Sequence, residues 1–320
     1  MTKLVTIVGA TGSQGKGVVA AFINHPAYHV RAITRNLESQ SAKALSAQGV
    51  ELVRADLNDP QSVKAAFAGS NIIFAVTNFM EPFEVHQSPV KAVETELQQG
   101  INMAEAAAST IDTLEHYIWS TLPDSLAISR GKHAVPHFNG KNKIDEHIRS
   151  LPVLEAKTTF LWITWYHNNY IFPIFTPLYV STAQKYIQLG PYQAETPVWT
   201  LGDVTKNITP FIRGIIASGD KAKGEIVVAH TEETTMGELL QTWAGTKGAK
   251  AQLIQIGGKE YRELWGLWGE EMATMMEFWS DVKDKSWTDA EGRKVLTRKD
   301  LGIEVGEFET LVKGFENLQF

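Results

Sequence analysis

The chain has 320 residues, 43% hydrophobic and 21% charged, which is enough to bury a large core as one large domain or two smaller ones and rules out a disordered or fibrous protein. A net charge of −6 with scattered lysine and arginine argues against direct binding to nucleic acid, which needs a basic patch, and the absence of cysteine excludes disulfides, thiolate metal sites and cysteine nucleophiles. The start has one lysine and then a strand, not a signal peptide, and no apolar run reaches the length of a membrane span. A cytoplasmic protein is expected, with the sequon at Asn207 free of glycan.

The chain is organised around its first seventeen residues, MTKLVTIVGATGSQGKG. Residues 4–8 are a β-branched apolar run that predicts a buried strand. Gly9, Gly12 and Gly15 follow, and residues 14–24 then place Val18, Val19, Phe22 and Ile23 at helical spacing. A strand, a glycine turn and a helix start let the backbone approach a pyrophosphate, held by the unpaired N–H groups of the helix. The second strand, residues 29–35, ends in Thr34 and Arg35, with no acid before Glu38. An acid here would hold a ribose 2′-hydroxyl. An arginine suits a 2′-phosphate, so the pattern points to NADP(H) rather than NAD(H).

Further strands are predicted over residues 51–56, 71–78, 115–121 and 158–164, with helical stretches near 38–48, 60–68, 89–109 and 140–150. This alternation predicts a doubly wound α/β fold, a parallel sheet covered on both faces, with ligands beyond the carboxyl ends of the strands. Those ends hold Asp56 and Leu57, then Thr77, Asn78 and Phe79, then Ser120 to Leu122, then Trp165 to Asn169. The dinucleotide-binding domain is expected over 1–155. A smaller α/β part for substrate or partner is expected over 156–320, with later strands returning to the sheet.

The second half is aromatic. Trp162, Trp165, Tyr166, Tyr170, Phe172 and Phe175 fall close together, and residues 261–279 read as one helix carrying Trp265, Trp268, Met272, Met275, Met276 and Trp279. Such residues build cores, but they also line apolar small-molecule sites. A helix capped by Asp203 is expected within residues 200–218, a strand over 225–230, a capped helix over 234–244, and charged surface over 285–299. The nine histidines show no ligand spacing, so no metal site is expected.

The GATGSQGKG turn, TRN after the second strand, ADLND at 55–59, VTNF at 76–79 and VPHFNGKNKIDEHIR at 135–149 together resemble the NmrA-like family, a branch of the atypical short-chain dehydrogenases. The resemblance spans roughly the first 170 residues. It implies a Rossmann fold that binds NADP(H), with Gly9, Thr11, Gly12 and Gln14 at the phosphates and Arg35 at the 2′-phosphate. It further implies Asp56 and Leu57 near the adenine, Thr77, Asn78 and Phe79 along the ribose, Lys141 toward the nicotinamide, and Tyr166 to Asn169 as the loop after the sixth strand.

Typical short-chain dehydrogenases carry a tyrosine four residues before the lysine. Here that position is His137, with Ser120 at the end of the fifth strand where the dehydrogenase serine lies. Histidine exchanges protons near neutral pH, so Ser120, His137 and Lys141 form an altered candidate catalytic set, while Trp165, Tyr166, Trp265 and Trp268 are candidates for a hydrophobic substrate. Two readings follow. In one the protein is an NADPH-dependent reductase or isomerase for a hydrophobic small molecule. In the other it is a silent NADP(H) sensor that regulates a protein partner such as a transcription factor. A deep pocket beside Lys141 favours the first, and a flat exposed patch favours the second.

Overall fold

The computed structural model describes residues 2–318, so Met1 of the opening stretch lies outside the described residues. The first half alternates β1 (Lys3–Ile7), α1 (Ser13–Phe22), β2 (Tyr28–Thr34), α2 (Gln40–Ser46), β3 (Glu51–Arg54), α3 (Pro60–Phe67), β4 (Ile72–Ala75), α4 (Met80–His86), α5 (Pro89–Ser109), β5 (His116–Thr121), α6 (Ser125–Ile128), α7 (Pro136–Arg149) and α8 (Pro152–Glu155). The second half adds β6 (Thr158–Ile163), β7 (Trp165–Tyr166), β8 (Leu178–Val180), β9 (Lys185–Gly190), β10 (Pro197–Gly202), α9 (Val204–Ala217), β11 (Ile226–Ala229), β12 (Glu232–Thr235), α10 (Met236–Thr246), β13 (Ala251–Gln255), α11 (Gly258–Val282), β14 (Val295–Leu296) and α12 (Leu311–Asn317).

Eight strands form one sheet in the order β14-β11-β6-β5-β4-β1-β2-β3, every neighbour parallel. Their side chains point to alternate faces, and both faces are buried. On β4, Ile72 and Phe74 join a core with α1 and α9, while Ile73 and Ala75 join one with α3, α5 and α7. After β3 the chain crosses back over β1 and lays β4 on its other edge. That reversal opens a crevice at the carboxyl ends of β1 and β4, where such sheets bind ligands. Two small sheets, β12-β10-β7 and β13-β9-β8, extend the second half.

Several elements depart from the sequence-based expectation. β3 and β4 stop at Arg54 and Ala75, which leaves Asp56, Thr77 and Asn78 in loops at the carboxyl edge. The expected helix over 140–150 starts at Pro136, because proline fits the first helical turn, and His137 is therefore helical. Residues 200–202 end β10, and Asp203 caps α9 by accepting from the Thr205 amide. Asn207 is buried and bonded to Leu201 and Glu309, which encloses the sequon in the fold.

The stretch 285–299, expected at the surface, contributes buried Trp287 and the edge strand β14. The expected single helix over 261–279 folds back at Gly266 (φ 55°, ψ −132°), a left-handed φ that suits glycine. Arg262 then donates to both oxygens of Glu277, so 258–265 lies antiparallel against 267–282. Among the described residues no helix is long and apolar enough to cross a membrane.

Candidate functional site

Two cavities meet at the carboxyl edge of the sheet. The first, about 570 Å³, lies over the β1–α1 turn. Gly9 holds a left-handed φ of 68°, and the Gly12 amide donates to Gly9 O at 2.9 Å. Gly15 sits so close to this turn that an added Cβ would lie 2.1 Å from Gly9 O, so only glycine lets the helix start there. No side chain caps α1, which leaves its first-turn N–H groups for an anion.

Gly9, Thr11, Gly12, Gln14, Gly15, Arg35, Asp56, Leu57, Thr77 and Asn78 all line this cleft, and so does Tyr166. Phe79 does not line it. It stacks on Phe83 in a small buried core, 5.5 Å between ring centroids, because α4 starts immediately after it and turns the ring inward. Arg35 is held by Glu81, which was not singled out in the sequence. The two form a forked ion pair with contacts of 2.6 and 3.0 Å that raises the guanidinium pKa further.

The second cavity, about 660 Å³, is walled by Trp165, Phe175, Trp265, Trp268, Met272, Met275, Trp279 and Trp287. Ser120, His137, Lys141 and Asn169 lie on its polar side. The two cavities share Ser13, Gln14, Asn78 and Tyr166. At that junction the Gln14 amide donates to the Tyr166 hydroxyl at 2.8 Å, and burial pushes the phenol pKa up, so Tyr166 keeps its proton.

Two buried carboxylates organise the polar side. Glu96, on α5, has no exposed side-chain surface. It accepts from Lys141 Nζ at 2.8 Å and from Thr77 Oγ1 at 2.7 Å, while Nζ also donates to Thr77 Oγ1 at 2.7 Å. Gly140 makes this possible, since a Cβ there would sit 2.6 Å from Glu96 Oε2. Lys141 also lies over the Trp119 ring.

Glu271, on α11 and equally buried, bonds His137 twice. It accepts from the backbone N–H at 3.2 Å and from ring Nδ1. Glu96 Oε2 and Glu271 Oε2 have no protein partner. A third carboxyl, Asp145 on α7, accepts from Trp119 Nε1 at 2.6 Å and Thr121 Oγ1 at 2.9 Å, and burial pushes its pKa up to about 7. None of the three was singled out in the sequence, where a helical glutamate or aspartate reads as a solvated face. The one local signal was Gly140 inside a helix, a residue with a packing reason when it interrupts a helical pattern. Among the described residues no group of three or more histidine, cysteine, aspartate or glutamate side chains is placed to hold a metal ion.

An NmrA-like family domain-containing oxidoreductase of Aspergillus hancockii is 27% identical over 275 residues, 83% of this chain and 79% of its own. Among solved structures, the negative transcriptional regulator NmrA in complex with NADP superposes with a TM-score of 0.72 at 20% identity, over 99% of this chain and 95% of that one. An NADPH-dependent quinone oxidoreductase of Escherichia coli, complexed with NADPH, gives 0.69 at 16% identity, over 97% and 98%. At these identities the two structures speak for the fold, the eight-stranded Rossmann-type sheet described above. The NmrA-like family pattern matches residues 1–302, and the chain belongs to that family.

Proposed function

We propose that the chain is an NADPH-dependent reductase of a hydrophobic, aromatic small molecule bearing a carbonyl or conjugated alkene. Residues 1–155 hold the cofactor, and the aromatic part of 156–320 encloses the substrate. The observation that carries this reading is the junction. An anion-suited cleft opens into an aromatic cavity, with Ser120, His137 and Lys141 on the cavity wall. The curated relative named an oxidoreductase and the NADPH-bound quinone oxidoreductase support it by family and fold.

The residues fit a dinucleotide. The glycine turn and uncapped α1 present N–H groups to a pyrophosphate, Gln14 Oε1 is buried without a protein partner, and Arg35 offers a fork for a 2′-phosphate. Bound there, the cofactor supplies a hydride. His137 supplies the proton. With Nδ1–H donated to Glu271, ring Nε2 is left to carry the proton given to the substrate, a role worth roughly 10²–10⁴ in rate. Ser120 Oγ polarises the substrate oxygen.

Lys141 is a positioning residue here rather than the acid, since Glu96 and Thr77 hold its ammonium and it fixes Thr77 on the cleft wall. The tryptophans and methionines exclude water and grip an aromatic ring.

A second reading, a dinucleotide sensor for a protein partner, draws on the exposed apolar side chains of Ile171, Phe172, Leu178 and Tyr179 and on the regulator NmrA among the similar structures. NADPH consumption with a panel of aromatic enones and ketones separates the two. The wild type should turn over members of the panel, and His137→Ala should lose about a hundredfold or more while still binding NADPH. No turnover on any compound, with tight binding that distinguishes NADPH from NADP⁺, would contradict the reductase reading.

A further inference from the structure

The wall of the dinucleotide cleft is not uniformly basic. Its charged residues are Arg35, Asp56 and Glu81, a net negative set, and Glu81 engages both Nη atoms of Arg35. A guanidinium makes bidentate contact with an oxyanion through its Nη1/Nη2 edge or its Nε/Nη2 edge, and here a carboxylate of this chain occupies the Nη1/Nη2 edge. Both partners are open to solvent, 61% for Arg35 and 46% for Glu81, and Glu81 stands in the first turn of α4. An exposed pair of this kind contributes little to stability and exchanges readily.

We infer that Glu81 is a cofactor-specificity residue: it competes with the 2′-phosphate of NADPH for the Arg35 fork and so narrows the preference for NADPH over NADH. The inference rests on the dinucleotide reading above. A 2′-phosphate that takes the Nη1/Nη2 edge must displace Glu81 from it, whereas a 2′-hydroxyl leaves the ion pair in place. Glu81 therefore taxes one cofactor and not the other. Acting through Arg35, it loses that effect when the guanidinium is removed.

Equilibrium fluorescence titration of NADPH and NADH against the full chain tests this in wild type, Glu81→Gln, Arg35→Ala and the double variant. Glu81→Gln should tighten NADPH by about threefold to fivefold and change NADH by less than about twofold. In the Arg35→Ala background the same substitution should change NADPH by less than about twofold. Equal effects on both cofactors, or the full tightening retained without Arg35, would overturn the assignment. Failure of the wild type to bind either cofactor would instead defeat the dinucleotide reading, and this inference with it. Circular dichroism of each variant, expected to match wild type because both side chains are exposed, confirms that the titrations report binding.

Discussion

The two cavities that meet at the sheet edge use charge in opposite ways. In the cleft over the glycine turn the ion pair, Arg35–Glu81, is exposed, and the N-terminus of α1 has no side-chain cap. In the aromatic cavity the pairs, Lys141–Glu96 and His137–Glu271, have carboxylates with no exposed surface. A solvated pair can open for a ligand and contributes at most about 1 kcal/mol, whereas a buried one locks its members in place and is costly to break. The difference teaches which region adapts to what it binds and which is preorganised. The cleft can exchange an internal partner for a ligand, and the cavity holds a lysine and a histidine in fixed geometry before any substrate arrives.

The contrast breaks first under removal of a buried carboxylate. Glu96→Ala leaves the Lys141 ammonium buried without its counter-charge and should cost about 3–5 kcal/mol in urea unfolding, whereas Glu81→Ala should cost less than about 1 kcal/mol. Similar losses for the two would show that the regions do not differ as described.

Next in size is the catalytic contrast. On the reductase reading, His137→Phe, which keeps a ring in the cavity wall, should lower turnover by about 10²–10⁴ and leave NADPH affinity within about twofold, because His137 lines the aromatic cavity and not the cleft. A matching loss of NADPH binding would merge the two regions into one.

A pH scan of stability sharpens the comparison from a residue that lines neither cavity. His116 is buried at the start of β5. Thr159 Oγ1 donates to Ala222 O, so His116 Nε2–H donates to Thr159 at 2.7 Å, and burial pushes the imidazole pKa down from 6.5 to about 4. The unfolded chain takes up this proton below 6.5 and the folded chain does not. The unfolded state thus binds more protons, and stability is lost as pH falls from 6.5 toward 4, by roughly 2–3 kcal/mol. Urea titrations of wild type and His116→Leu across that window should show the slope shrinking in the variant, and an unchanged slope would assign it to other groups.

The smallest effect belongs to the exposed cation. Arg35→Ala should weaken NADPH by about tenfold, roughly 1.4 kcal/mol, and leave NADH nearly unchanged in calorimetric titrations. Equal weakening of both cofactors would remove Arg35 from 2′-phosphate recognition.

What could be read from the sequence follows the same division. The Gly9 to Gly15 turn, the strand–helix alternation and the strand-end residues of the cleft are encoded locally, in short-range spacing and β-branched runs. Of the residues expected on that basis, Gly9, Gly12, Gly15, Arg35, Asp56, Leu57, Thr77 and Asn78 line the cleft, and the family resemblance adds Thr11 and Gln14. Phe79, expected along the ribose, packs on Phe83 in a small core, because spacing alone does not tell which way a residue at a helix start turns. The organising groups of the cavity are non-local. Lys141 meets Glu96 across 45 positions, and His137 meets Glu271 across 134. No window of sequence shows such a pairing, and each glutamate sits on a helix whose pattern reads as ordinary. The reversal at Gly266 was hidden in a similar way, since one glycine within a run of tryptophan, leucine and glutamate does not reveal its φ.

The most direct test of the central claim uses NADPH deuterated at the transferring carbon. It is incubated with the aromatic enone and ketone panel, and products are read by mass spectrometry for wild type and His137→Phe. The account predicts deuterium in a reduced product with wild type and loss of nearly all of it with the variant, although both bind the labelled cofactor. Bound cofactor with no deuterium transferred to any compound by the wild type would contradict it.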